Sequence, residues 1–259
     1  MAIPHLVAHR GLMENYPENT LISLESALNC GASYIEFDVQ CTADGQLVVF
    51  HDTDLQRTTG VQGNLFEMAY GELKNIRAHE PDRFSLAFFN QHIPLLTEVV
   101  QLLQRFPRAT AFVEIKEESL AHYGTESIMP ELLKTLDIIH KQCVIISFDK
   151  SAIEYTKKNS DFFAGWVLHT YDDISHETAR HLKPEYLIIN HRKIPKNADP
   201  WPGNWHWMVY DITDPELALH YASHNIPLIE SRDVCSMLEH PILALNLLPQ
   251  QQHNRPLGN

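Results

Sequence analysis

Long hydrophobic runs are missing from this chain of 259 residues: no 18 consecutive apolar residues occur, so no segment reads as a membrane-spanning helix. Basic residues are in deficit as well. Lys and Arg number 20 against 33 Asp and Glu, a formal net charge of −13 at pH 7. That balance argues against the clustered positive surface required by nucleic acid or an anionic membrane. Cysteine is sparse. Cys30, Cys41, Cys143 and Cys235 lie far apart with no CxxC pair, which reads as reduced thiols rather than a disulfide frame or a zinc site. There is no Gly-x-Ser-x-Gly elbow and no P-loop, so serine hydrolases and nucleoside triphosphatases lack support. A strand-like run begins by residue 5 and leaves no room for a signal peptide ahead of it. The expectation is a soluble, acidic, cytoplasmic protein with no nucleic-acid partner and no stable membrane association.

What is present is a large apolar complement, 44% of residues, arranged in alternating strand-like and helix-like runs. Strands are expected at Leu6–His9, Tyr34–Val39, Thr110–Ile115, Cys143–Ser147, Ala164–Leu168, Tyr186–Asn190, Trp207–Ile212 and Pro227–Glu230. Helices are expected at Leu21–Cys30, Thr97–Phe106, Pro130–His140, Ala152–Asn159, His176–Leu182 and Pro215–His224. Eight strands alternating with helices predict an α/β fold, a (β/α)8 barrel whose active site lies at the C-terminal strand ends. An open doubly wound sheet is the rival, but His9-Arg10-Gly11 is not the Gly-rich first turn it usually carries.

An extra strand, Gln46–His51, follows the second after Asp44-Gly45, a two-residue hairpin signal. A type I′ turn there predicts Asp38 opposite His51 and Val39 opposite Phe50. Residues 52–93 hold no clean helix–strand unit and read as an insertion after the second strand, either over the mouth of the site or merely on the surface. Residues 1–248 are expected to form one domain, with the hairpin and insertion at about 41–93. The tail 249–259 reads as disordered.

Charged groups gather at the expected C-terminal strand ends. In Glu36-x-Asp38 and Glu114-x-Lys116, spacing of two puts both side chains on one strand face, the barrel interior. Any one of these carboxylates alone reads as a solvated strand-end charge. Three of matching phase at one mouth, Glu36, Asp38 and Glu114, call for a divalent cation with oxygen ligands, Mg2+ or Ca2+. His9 and His51 fall beside them and can serve as general base and general acid near pH 7. Most of the chain's 16 histidines must be ordinary, but these two share the mouth with Arg10 and Lys116, whose fixed charge suits a phosphate. Asn19 is read as a helix N-cap, and Trp201, Trp205 and Trp207 as core aromatics.

These residues resemble the glycerophosphodiester phosphodiesterase family. The resemblance is carried by Ala8-His9-Arg10-Gly11, Pro17-Glu18-Asn19-Thr20, Ile35-Glu36-Phe37-Asp38-Val39-Gln40, Asp44-Gly45, Val48-Val49-Phe50-His51-Asp52, Leu55-Gln56-Arg57-Thr58-Thr59-Gly60 and Val113-Glu114-Ile115-Lys116, with Ser147-Phe148 as a later match. It implies a (β/α)8 barrel with a small insertion after the second strand. It also implies one divalent cation on Glu36, Asp38 and Glu114, acid–base work by His9 and His51, and phosphate contacts from Arg10 and Lys116. The implied reaction is hydrolysis of a small-molecule glycerophosphodiester to sn-glycerol 3-phosphate and an alcohol. The C-terminal half departs from the family pattern. Tyr210-Asp211-Ile212-Thr213 stands where members commonly carry Trp-Thr-Val-Asn, and Glu230-Ser231-Arg232-Asp233 stands for Thr-Asp-x-Pro. The crossover 191–204 holds three prolines and is not expected to form a normal helix. Two other functions share the residues: a phospholipase D-like barrel acting on a lipid phosphodiester, and a non-catalytic pseudoenzyme that binds phosphodiesters.

Overall fold

The computed structural model describes residues 2–196 and 198–246; the tail 249–259 lies outside them. Among the described residues, nine strands form one sheet: β1 (His5–Ala8), β2 (Tyr34–Cys41), β3 (Leu47–Val49), β4 (Thr110–Ile115), β5 (Cys143–Ser147), β6 (Phe163–Val167), β7 (Tyr186–Asn190), β8 (His206–Tyr210) and β9 (Leu228–Ser231). All but β3 run parallel, and the sheet closes because β1 pairs with both β2 and β9. The result is the eight-stranded barrel of a (β/α)8 fold. Several bounds differ from the expected ones by a residue or two, because strand ends are set by neighbours as well as by local sequence.

Alternation along the strands sorts two cores. On β2, Ile35, Phe37 and Val39 face outward and pack under the helices. Among the helices are Leu21–Asn29, Leu96–Gln104, Thr125–Leu136 and Lys150–Asn159. The inward set fills the barrel with Val7, Phe112, Val144, Ile146, Val167, Ile188, Met208 and Leu228. Two residues past Phe112 on the same face comes Glu114, and two past Leu228 comes Glu230. An apolar floor therefore gives way to carboxylates toward the C-terminal rim. Between β7 and β8 only a single 3-10 turn, His191–Lys193, is present among the described residues, as the prolines predict. Trp207 is buried, while Trp201 and Trp205 pack partly buried against the helix-side core.

Three expectations are corrected. The hairpin pairs Val39 with Val49 and Gln40 with Val48, one residue away from the register a type I′ turn imposes, so Asp38 faces Phe50 rather than His51. The Phe50 N–H donates to the Asp38 carbonyl at 3.0 Å. Type I′ needs positive φ at both central residues, but only Gly45 has it, at +80°. Instead the Gly45 N–H bonds the Thr42 carbonyl and the Thr42 N–H bonds the Gln46 carbonyl, which makes a three-residue loop with Gly45 in the left-handed position. The Asp44 carboxylate accepts from the Thr42 hydroxyl at 2.6 Å and from the Tyr70 backbone N–H at 2.9 Å.

The cysteines are not all reduced thiols. Cys30 and Cys235 are bonded, and only Cys41 and Cys143 are free. Sequence separation of 205 residues hides this pair. Barrel closure brings them together, because the helices after β1 and β9 become neighbours when those strands pair. The bond removes the thiol argument for a cytoplasmic location. The N-cap of Leu21–Asn29 is Thr20, not Asn19, which has turned inward.

Residues 52–93 fold into short helical turns over a small core of their own, including Leu55, Leu65, Leu73 and Ile93. No helix among the described residues is long and apolar enough to cross a membrane.

Candidate active site

At the C-terminal rim, β1, β2, β4, β8 and β9 direct polar side chains into a cavity of about 200 Å3. His9, Arg10, Glu36, His51, Glu114 and Lys116 line it, so six of the seven residues singled out from sequence meet in one place. The seventh, Asp38, sits just beneath, at 1% exposure. One oxygen each from Glu36, Asp38 and Glu114 lies within 4.8 Å of the others.

Asp38 is the most tightly held carboxylate. Burial alone would raise its pKa, but Arg10 and Lys116 reverse that and keep it ionised far below the usual range. Arg10 Nε lies 3.0 Å away and Lys116 Nζ 3.6 Å. Asn19, at φ +57°, donates from Nδ2 to Asp38 Oδ2 at 2.8 Å and accepts the Asp38 N–H at 3.2 Å. Those two bonds fix the carboxylate plane. Glu114 accepts from Lys116 Nζ at 2.8 Å. Glu36 accepts the Arg10 backbone N–H at 3.0 Å and shares a side-chain hydrogen bond with Glu230; burial first, then Asp38, pushes its pKa well above the ordinary value. Left-handed backbone at Arg10 and Gly11 makes this turn possible. A Cβ on Gly11 would fall 2.5 Å from the Ser23 carbonyl carbon, so glycine is required there.

The two histidines sit differently. His9 faces two carboxylates beyond hydrogen-bond reach, Glu230 at 3.7 Å and Glu36 at 4.0 Å. Burial and then Arg10 hold its pKa down to about 3, so its imidazole is neutral at pH 7. His51 Nδ1 meets Asp52 Oδ1 at 2.6 Å, and Asp52 is braced by Arg57 Nε at 2.6 Å. That chain fixes the ring orientation and leaves the other nitrogen to the cavity. Arg57 also grips Glu18, whose other partner is Arg10, so the insertion reaches the site through a carboxylate rather than by covering it. Among residues 52–93, none lines the cavity.

Sequence reasoning missed three groups. Glu230 is buried on β9, with its pKa pushed up to about 8 by burial and then by Glu114. Tyr210 and Asp211 end β8. Their signal was present, since each falls within the two C-terminal segments that depart from the family pattern. A deep carboxylate and a phenol there are additions to the wall, not losses from it.

Fold and site together define a (β/α)8 barrel with a carboxylate cluster at its mouth, flanked by two histidines and two fixed cations. The chain belongs to the glycerophosphoryl diester phosphodiesterase family, whose model matches residues 9–198. A relative from Bacillus altitudinis, called a glycerophosphodiester phosphodiesterase, is 34% identical over 182 residues, 69% of this chain and 71% of its own length. A second, from Caldanaerobacter subterraneus and of the same name, is 33% identical over 153 residues, 59% of this chain; the match spans 61% of that relative. Among solved structures, an Oleispira antarctica phosphodiesterase in complex with the product sn-glycerol-3-phosphate superposes with a TM-score of 0.80 at 24% identity, covering 92% of this chain and 96% of its own. Similarity at that level speaks for the fold.

Proposed function

We propose that the chain is a metal-dependent phosphodiesterase that hydrolyses glycerophosphodiesters to sn-glycerol 3-phosphate and an alcohol. The observation that carries this reading is the convergence of Glu36, Asp38 and Glu114 within 4.8 Å, in a cavity lined by both His9 and His51. Three all-oxygen donors suit a hard cation, Mg2+ or Ca2+, and among the described residues no Lys or Arg side chain lies within 4.0 Å of the Glu36 carboxylate, which has only His9 at that distance. Such an ion would supply Lewis-acid stabilisation of charge developing on the phosphoryl oxygens.

The rest falls to the chain. Arg10 and Lys116, both held in the charged form, bind the phosphate and balance its charge. Arg10 is pinned at Asp38 and Glu18 and lines the cavity. His9 and His51 share the two proton transfers. One takes a proton from the attacking oxygen; the other gives a proton to the alkoxide as the P–O bond breaks, so the alcohol leaves neutral. The acidic balance of the chain favours a water-soluble diester over a lipid at an anionic surface. Residues 1–248 are read as one phosphodiesterase domain. The deciding experiment is turnover of a panel of glycerophosphodiesters with Mg2+, Ca2+ or Mn2+ against an EDTA control. Release of sn-glycerol 3-phosphate only with metal is expected; full activity in chelator would overturn the metal reading.

A further inference from the structure

Along β2, Glu36, Asp38 and Gln40 alternate with the outward Ile35, Phe37 and Val39. The first two belong to the carboxylate cluster; Gln40 has no part in the chemistry proposed above. It is fully buried, and so is Ser119, in the helix Glu117–Tyr123 that follows Lys116. Three hydrogen bonds make a chain that ends on His51. Gln40 Nε2 donates to the His51 carbonyl at 2.9 Å, and Gln40 Oε1 accepts from the Ser119 hydroxyl at 2.6 Å. Ser119 Oγ in turn accepts the Cys41 N–H at 3.0 Å. The direction of this chain is forced. A carbonyl only accepts and a backbone N–H only donates, so the amide must turn its nitrogen to His51 and its oxygen to the hydroxyl. Reversing any member would leave a buried polar group unsatisfied.

His51 stands where a tether is needed. β3 ends at Val49, and after the Phe50 N–H bond to Asp38 the chain leaves the sheet for the insertion. Asp52, braced by Arg57, orients the imidazole, and both lie further along that departing segment. Gln40 instead fixes the main chain from which the ring hangs. We propose that Gln40 is a positioning residue, holding His51 against the strand that carries Glu36 and Asp38, with Ser119 locking its amide in that orientation. This rests on the role given to His51 in the phosphodiesterase reading above. Because Gln40 acts only through His51, its loss costs kcat and leaves substrate affinity nearly untouched. A misplacement of about 1 Å in a reacting group is enough to cost about 10²-fold.

The test is a double-mutant cycle between Gln40→Met, which keeps the volume and removes both hydrogen bonds, and His51→Ala. In the wild-type background Gln40→Met should lower kcat by about 10- to 100-fold while KM stays within about twofold. In the His51→Ala background it should lower kcat no further, because the group it positions is gone. Ser119→Ala leaves the bond to His51 in place and should lose less kcat, again with KM unmoved; it carries every readout should Gln40→Met not fold. An equal loss in both backgrounds, or a KM that rises as far as kcat falls, would make the role merely structural and overturn the proposal. Hydrogen–deuterium exchange reads the tether without turnover. Amides of residues 50–53 should exchange about fivefold faster in Gln40→Met, the worth of one hydrogen bond, while β4 and β5 keep their protection. Unchanged exchange there would overturn the proposal whatever the kinetics. A wild type that turns over no glycerophosphodiester would fail the phosphodiesterase reading instead, and exchange alone would then decide the tether.

Discussion

Arg57, in the insertion, and Arg10, after the first strand, hold the same carboxylate. Glu18 Oε1 accepts from Arg10 Nη1 at 2.8 Å and from Arg57 Nη2 at 2.7 Å, while Oε2 accepts from Arg57 Nη1 at 2.8 Å. Glu18 is 5% exposed and its backbone N–H is taken by Glu80, which Arg83 grips at 2.7 Å. Insertion and barrel therefore meet in a charged strut behind Arg10, the phosphate anchor of the proposed function.

Loosening that strut should weaken substrate binding before it slows chemistry. Arg57→Gln is expected to raise KM about tenfold while kcat changes much less, since charge-assisted hydrogen bonds are the stronger kind but Arg57 is partly solvated. Glu18→Gln should do the same, and the double variant should be no worse than the poorer single one. Steady-state kinetics on all three test this. Additive losses would mean that Arg57 does not act through Glu18.

His51 carries proton transfer in the proposed mechanism, so His51→Ala should lower kcat by about 10²- to 10⁴-fold. Metal-induced thermal stabilisation should persist, because the carboxylate cluster is intact. His51→Asn keeps shape without titration and should lose one limb of the pH–kcat profile. A variant with a normal profile would remove His51 from the chemistry.

The metal assignment predicts a linkage effect. Mg2+ or Ca2+ should raise the Tm of the wild-type protein, and EDTA should reverse it. Glu36→Gln should abolish both that shift and activity. Differential scanning calorimetry with and without metal reads the first directly. A wild type indifferent to metal would sink the assignment.

Glu230 gives stability a pH dependence in the metal-free protein. Burial and Glu114 raise its pKa from 4.5 to about 8 in the folded chain. Between those values the folded state keeps a proton that the unfolded state releases, so this group's contribution to stability falls as pH rises through that window. Glu230→Gln should therefore raise the metal-free Tm at pH 8 and do much less at pH 5. An equal gain at both would mean that the carboxylate is not the strained group.

The cysteine pairing has a simple assay. Denatured, unreduced protein should present two reactive thiols, and reduction should expose all four cysteines. Cys30→Ser should lower stability by about 2–5 kcal/mol, the usual loss for a native disulfide. Four thiols before reduction would refute the bond.

Local sequence was enough to show the barrel and most of its mouth. Strand and helix periodicity is a property of neighbouring residues, so β4, β5 and β7 fall where the alternation puts them. Spacing of two in Glu36-x-Asp38 and Glu114-x-Lys116 settles which face the charges share, whatever the rest of the chain does. Closure decided what lay beyond that reach. The β1–β9 pairing carries Cys30 to Cys235 and sets Glu230 beside His9, contacts between residues more than 200 positions apart that no local pattern encodes. Even the hairpin register escaped the dipeptide rule. Asp44-Gly45 is compatible with two turn types, and hydrogen bonds from Thr42, Gln46 and Tyr70 select the one that forms. Asn19 shows the same limit in a single side chain. Its sequence position suits a helix cap, but a folded barrel offers it the backbone and carboxylate of Asp38, two buried groups that would otherwise lack those partners.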